Sequence, residues 1–133
     1  MKKMIILTLL GLNTLVMSAQ EQDTLKTFDP TFAHTVYFWF KHPDSQKDGQ
    51  LFEASLQRFM ANSKYAKTKY VGKPPKAVRD VVDDTFTYCL IVTFESAEAQ
   101  QKYQDEPAHL AFVDECKDLW EKVIVYDSKG LQP

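Results

Sequence analysis

Two of the three histidines in this chain stand where an imidazole can do chemistry. His34 opens an aromatic, β-branched run, His34-Thr-Val-Tyr-Phe-Trp-Phe40. It shares the parity of Val36, Phe38 and Phe40, so it projects from the same strand face. His109 belongs to a stripe with Phe112, Val113, Cys116 and Trp120, spaced as one side of a helix that should meet the sheet. If the Val36 face is the helix-covered one, both imidazoles enter one space between sheet and helix. Tyr103, just before a break at Pro107, can point there too. Imidazole titrates near neutrality, so a buried pair with a phenol can move protons or orient a carbonyl or hydroxyl. The competing reading is that each ring satisfies backbone groups in the core. His42 sits in a turn beside Pro43 and is read as solvated.

Other chemistries find less support. Two histidines without a third ligand in a recognisable spacing do not make a zinc site, and Cys116 is too far along the helix from His109 to share one easily. There is no phosphate-binding glycine loop, nucleotide fingerprint or nucleophile triad motif, so no metal and no cofactor is expected. A net charge of −2 gives no electrostatic case for nucleic acid or an anionic membrane as partner. Cys89 and Cys116 permit one disulfide in an exported chain, but both lie in apolar segments where free buried thiols are common. Free thiols or an incidental bridge are the expectation, rather than redox chemistry.

The elements that must position these residues follow from periodicity. Hydrophobic content of 44% is enough for a packed core. A strand over His34–Phe40 ends at the turn Lys41-His42-Pro43-Asp44. Phe52, Leu56, Phe59 and Met60 make one apolar stripe, predicting a helix from about Ser45 to Asn62, with Asp44 or Ser45 as its cap. A short strand near Lys69 to Gly72 stops at Lys73-Pro74-Pro75. Lys76 to Asp84 reads as an irregular loop. A third strand spans Thr85 to Phe94, and Ser96 caps a helix from Ala97 to about Tyr103. Pro107 restarts the helix, which is expected to run to about Lys122, before a last strand over Val123–Tyr126. The order β-α-β-β-α-β is the ferredoxin-like, α+β arrangement of an antiparallel sheet with helices on one face.

Such a sheet needs only one apolar face, yet the strands do not alternate. Val36, Phe38 and Phe40 oppose Tyr37 and Trp39; Tyr88, Leu90, Val92 and Phe94 oppose Cys89 and Ile91. A second apolar face of that size is expected to bury itself against a second copy, making Tyr37 and Trp39 interface residues of a homodimer. The alternative is a monomer in which the N-terminal lead-in covers them.

The N-terminus has its own signature. Lys2 and Lys3 precede an apolar run from Ile5 to Val16, then Ser18 and Ala19, the order of a secretory signal peptide over residues 1–19. The run is short of the roughly 20 residues a membrane span needs. The chain is therefore expected to be exported, periplasmic or secreted, with no stable membrane insertion after cleavage. Residues 20–30 read as a polar lead-in.

Three segments carry a family likeness: Phe86-Thr-Tyr-Cys-Leu-Ile-Val-Thr-Phe-Glu-Ser96, Tyr103-Gln-Asp-Glu-Pro-Ala-His109, and Leu119-Trp-Glu-Lys-Val-Ile-Val-Tyr-Asp127. Together with His34 and Val71-Gly72-Lys73-Pro74 they resemble the stress-responsive A/B barrel (Dabb) family, over residues 31–129. The resemblance implies a ferredoxin-like fold and a homodimer whose two sheets close into a dimeric α/β barrel. Most members have no assigned reaction. A plant polyketide-cyclase branch performs an intramolecular aldol condensation with a histidine pair and a tyrosine, which by motif position would be His34, His109 and Tyr103. The family often has His-Pro-x-His at the helix restart; here its first position is Glu106.

Two readings result. One is an exported homodimer of unassigned activity that takes a small apolar or aromatic ligand. The other is a cyclase-like or lyase-like enzyme with His109 as general base and His34 and Tyr103 orienting the substrate. The second needs both imidazoles on one open cavity.

Overall fold

The computed structural model describes residues 31–131, so the expected signal peptide and the lead-in lie outside the described residues. Strand β1 covers Phe32–Phe40, helix α1 Gln46–Asn62, β2 Lys69–Gly72 and β3 Tyr88–Phe94. Helix α2 covers Ala97–Gln104 and α3 Pro107–Cys116; a single 3-10 turn then leads into β4, Trp120–Lys129. The strands form one four-stranded sheet in the order β2-β3-β1-β4, every neighbouring pair antiparallel. This is the ferredoxin-like α+β fold.

Local chemistry sets the helix boundaries. Ser45 accepts the Asp48 amide at 3.2 Å and Ser96 the Ala99 amide at 3.0 Å, each filling one of the donors a helix start leaves open. Pro107 takes the first position of α3, where its missing N–H costs nothing. Gly49 spends helix propensity inside α1 because the Tyr88 hydroxyl lies 3.1 Å from where a Cβ would stand.

The core is one aromatic layer between the helices and a single sheet face. Phe32, His34, Val36, Phe38 and Phe40 of β1 are all buried, as are Tyr88, Leu90, Val92 and Phe94 of β3. Phe52, Phe59 and Phe112 close over them, with ring centroids 5.0–5.6 Å apart across Phe38–Phe52, Phe52–Phe112 and Phe59–Phe112.

Four boundaries differ from expectation, one of them the end of β4, which runs past the expected Tyr126 to Lys129. β1 starts two residues before His34, so that Phe32 can pair with both Phe94 and Lys129. β3 starts at Tyr88, not Thr85, because Phe86 turns onto the other sheet face and packs against Tyr37 at 4.9 Å. The last helix stops at Cys116 instead of running to Lys122. The Leu119 carbonyl is taken by the Lys41 amide at 2.9 Å, and Trp120 opens β4 opposite Phe40. Trp120 is therefore not part of the α3 stripe; its ring reaches Phe38 from the strand, 5.3 Å between centroids.

On the second sheet face Tyr37, Trp39, Phe86 and Tyr126 form a cluster, and the Trp39 indole N–H donates to Thr85 Oγ1 at 2.9 Å. The cover supplied within the described residues is thus Phe86, with the Lys122 ammonium 4.3 Å from the Trp39 ring. Tyr70 and Tyr126 on this face remain 56% and 61% exposed. Cys89 and Cys116 are buried free thiols. Cys89 pairs with Tyr37 on β1, so it belongs to this outer face, while Cys116 ends a helix on the other. Among the described residues no helix is long and apolar enough to cross a membrane.

Candidate functional site

His34 is the third residue of β1, an inner strand of the sheet, with Val92 of β3 on one side and Asp127 of β4 on the other. Paired residues of neighbouring strands project to the same face, so Asp127 stands beside the imidazole. Its Oδ1 is 2.6 Å from His34 Nδ1. The imidazole is buried, whereas the carboxylate is 44% exposed. An acceptor at Nδ1 fixes the proton there and leaves Nε2 as the nitrogen without a partner among the described residues.

His109 sits in the first turn of α3 and is half-buried. Its Nδ1 lies 2.9 Å from the Gln104 carbonyl, the last residue of α2. That carbonyl can only accept, so Nδ1 carries the hydrogen and a neutral ring has a free lone pair at Nε2. Desolvation, the largest influence, lowers the His109 pKa below its ordinary 6.5, and the neighbouring His34 adds to this; the Gln104 carbonyl, Glu106 and Asp105 pull the other way.

Tyr103 lies between the two imidazoles, with ring centroids 5.9 Å from His34 and 5.4 Å from His109. It is buried, and burial, assisted by the Glu106 carboxylate, pushes its hydroxyl well above the ordinary tyrosine range. The phenol is thus held protonated. Its hydroxyl makes no hydrogen bond among the described residues.

These three side chains line one cavity of about 130 Å³. Its remaining walls are mostly apolar, with Val36 and Phe38 of β1, Phe59 of α1 and Phe112 of α3, and Gln104 at the end of α2 also borders it. Val123 and Val125 of β4 complete it and are 38% and 47% exposed. The helices leave this edge of the sheet uncovered, so the cavity opens there. All three sequence-predicted site residues are brought together. His42 is exposed and away from them. Among the described residues no three metal-binding side chains converge.

Asp127 and the Gln104 carbonyl were not singled out from sequence. Asp127 carries a readable signal: Val123, Val125 and Asp127 alternate, so extending the last strand one residue past Tyr126 places its carboxylate on the His34 face. The Gln104 carbonyl becomes available only because α2 ends there, which periodicity does not resolve.

A 45-residue stretch is 40% identical to olivetolic acid cyclase of Cannabis sativa, covering 34% of this chain and 45% of that protein, so the match spans less than half of this relative. Hydroxynitrile lyase from Passiflora edulis has the same fold, with a TM-score of 0.66 at 22% identity, over 79% of this chain and 98% of that one. A dimeric ferredoxin-like protein of unknown function from Thermobifida fusca gives 0.61 at 13% identity, over 77% and 94%. The family model described as the stress-responsive A/B barrel domain matches residues 32–129, from the first residue of β1 to the last of β4, and the chain belongs to that family.

Proposed function

We propose that this protein works as a homodimer that binds a small apolar or aromatic molecule bearing a carbonyl or hydroxyl group, in the cavity between His34, Tyr103 and His109. The observation that carries the reading is the convergence of those three polar groups on one apolar-walled space. An apolar cavity of about 150 Å³ takes a benzene ring. A volume of about 130 Å³ therefore suits a single ring or a short-chain headgroup, with any tail lying along Val123 and Val125 toward the open edge. The polar end of such a molecule satisfies the imidazole nitrogens and the Tyr103 hydroxyl. Titration of the protein with small aromatic aldehydes, ketones and phenols, followed by thermal shift in wild type and His109→Ala, tests this: stabilisation by at least one compound that vanishes in the variant is expected.

One observation favours a catalytic reading of the same cavity. The Gln104 carbonyl holds the His109 proton on Nδ1, so Nε2 is a free base in a neutral ring. In this reading His109 removes a proton from the bound molecule, the Tyr103 hydroxyl donates to its oxygen, and His34 Nε2, a lone pair while Nδ1 carries the proton, accepts from a hydroxyl the molecule bears. The relatives named as a cyclase and a hydroxynitrile lyase support acid–base chemistry as the reaction class. Turnover that His109→Gln abolishes while ligand-induced stabilisation persists would distinguish catalysis from binding alone.

The dimer is supported by the second sheet face, where Tyr37, Trp39, Ile91 and Ile124 are only half-buried and Tyr70 and Tyr126 are exposed. The described dimeric state of the Thermobifida protein points the same way. Residues 1–19 are proposed to direct export and to be removed; N-terminal sequencing of the secreted product checks this, and an intact Met1 would refute it.

A further inference from the structure

A larger concavity lies elsewhere among the helices. Residues of α1, α2 and α3 line a groove of about 780 Å³, separated from the histidine cavity by Phe59 and Phe112, which stack at 5.4 Å and border both. Glu106 lines this groove and is only 7% exposed. Its Oε1 accepts the Lys64 amide at 2.6 Å, but Oε2 has no hydrogen-bond partner. A buried carboxylate oxygen without a donor is costly, and a native structure rarely carries one without a reason. The groove's cations complete the pattern. Arg58 is tied to Glu115 at 2.5 Å. The Lys64 and Lys102 ammonium groups, both on exposed residues, have no carboxylate partner among the described residues, and Lys102 lies 5.9 Å from the Tyr65 ring centroid.

We propose that this groove is a second ligand site, for a zwitterionic α-amino acid with an apolar side chain. Its ammonium group donates to Glu106 Oε2, which is closed off in the free protein and is reached by a small shift of the Glu106 side chain that keeps Oε1 on the Lys64 amide. Its carboxylate meets Lys64 and Lys102, and its side chain lies on Tyr65, Phe59 and Phe112. A simple carboxylate would confront Glu106 with like charge, and a simple amine would leave both lysines unused. The site stands independently of what the histidine cavity binds.

Calorimetric titration of the full chain with L-phenylalanine and L-leucine, and with phenethylamine and 3-phenylpropionate as single-charge controls, tests it. Saturable binding of at least one amino acid is expected, with both controls about tenfold weaker or more. Glu106→Gln keeps the acceptor for the Lys64 amide and replaces Oε2 by a donor, so it should weaken the amino acid by a similar factor. The exposed pair Lys64→Gln/Lys102→Gln should weaken the amino acid and leave phenethylamine unchanged, a result that misfolding would not produce. Bound amino acid should shift the Lys64 amide resonance rather than the His34 imidazole. No saturable binding of either amino acid, equal binding of phenethylamine, or shifts confined to the His34 cavity would overturn the proposal.

Discussion

His34 and Asp127 face each other across the β1–β4 ladder with 2.6 Å between Nδ1 and Oδ1, one side chain in the core and the other at the solvent edge. The Asp127 carboxylate is half-exposed, so water can take its place at Nδ1 and the hydrogen bond contributes only about 1 kcal/mol to stability. Its effect is to choose the nitrogen that faces the cavity. Asp127→Ala is therefore expected to change stability by about 1 kcal/mol or less while weakening ligand binding or turnover about tenfold. Asp127→Asn, which can still accept at Nδ1, should retain more of the function. Nitrogen NMR of the His34 ring reads the tautomer directly: one fixed tautomer in wild type, a mixture in Asp127→Ala.

Tyr103 offers a cleaner separation of site from scaffold. Its ring is wedged among Phe59, Phe94 and the two imidazoles, but its hydroxyl has no partner among the described residues. Tyr103→Phe keeps the packing and removes only the hydroxyl, so stability should hold within about 0.5 kcal/mol while ligand affinity falls. A large loss of stability would show that the hydroxyl serves the fold.

His109 should titrate below 6.5 in the folded protein, because burial and His34 disfavour its charged form. The unfolded chain then binds the proton first as pH falls. This residue's contribution to stability is complete above 6.5, shrinks as pH drops below that value, and levels off under the folded midpoint. Any function that needs the free Nε2 lone pair should persist below pH 6.5 and fail at the folded midpoint. Replacing His34 with Gln removes one influence holding the His109 pKa down, so the His109 midpoint should move upward by proton NMR. An unchanged or lowered midpoint would mean that the imidazoles do not sense each other.

The proposed dimer face can be broken without touching the core. Tyr70 and Tyr126 are exposed on it, so Tyr70→Glu/Tyr126→Glu should leave each protomer folded but place like charges between the copies. Sedimentation at micromolar concentration is expected to give a dimer for wild type and a monomer for the variant. A wild-type monomer would remove the dimer from the account.

The fold and the main site were legible in the sequence because both rest on parity and periodicity. His34 shares its parity with Val36, Phe38 and Phe40, and all four are buried on one face. Likewise His109 keeps its stripe with Phe112, Val113 and Cys116 on α3. Trp120 shows where the method stops. Helical spacing fitted it as well as strand spacing did, and only the Phe40–Trp120 pairing and the Lys41–Leu119 bond end the helix early. The misplaced end of the same strand hid Asp127, since a strand ending at Tyr126 had no room for it. Phe86 is a similar case: a strand-like run does not reveal that one residue leaves the ladder to cover a neighbouring ring. Long-range contacts chose the helix end at Trp120 and the turn of Phe86, and local pattern carries no trace of those two.

If His34, Tyr103 and His109 form one working cavity, nitrogen-detected NMR of the two imidazoles during titration with small aromatic carbonyl and hydroxyl compounds reads it at both rings. A binding compound should move Nε2 of His34 and of His109 together, with the same saturation, and Tyr103→Phe should weaken both responses in parallel. Compounds that bind the protein but leave both Nε2 signals in place, or that move one without the other, would contradict it.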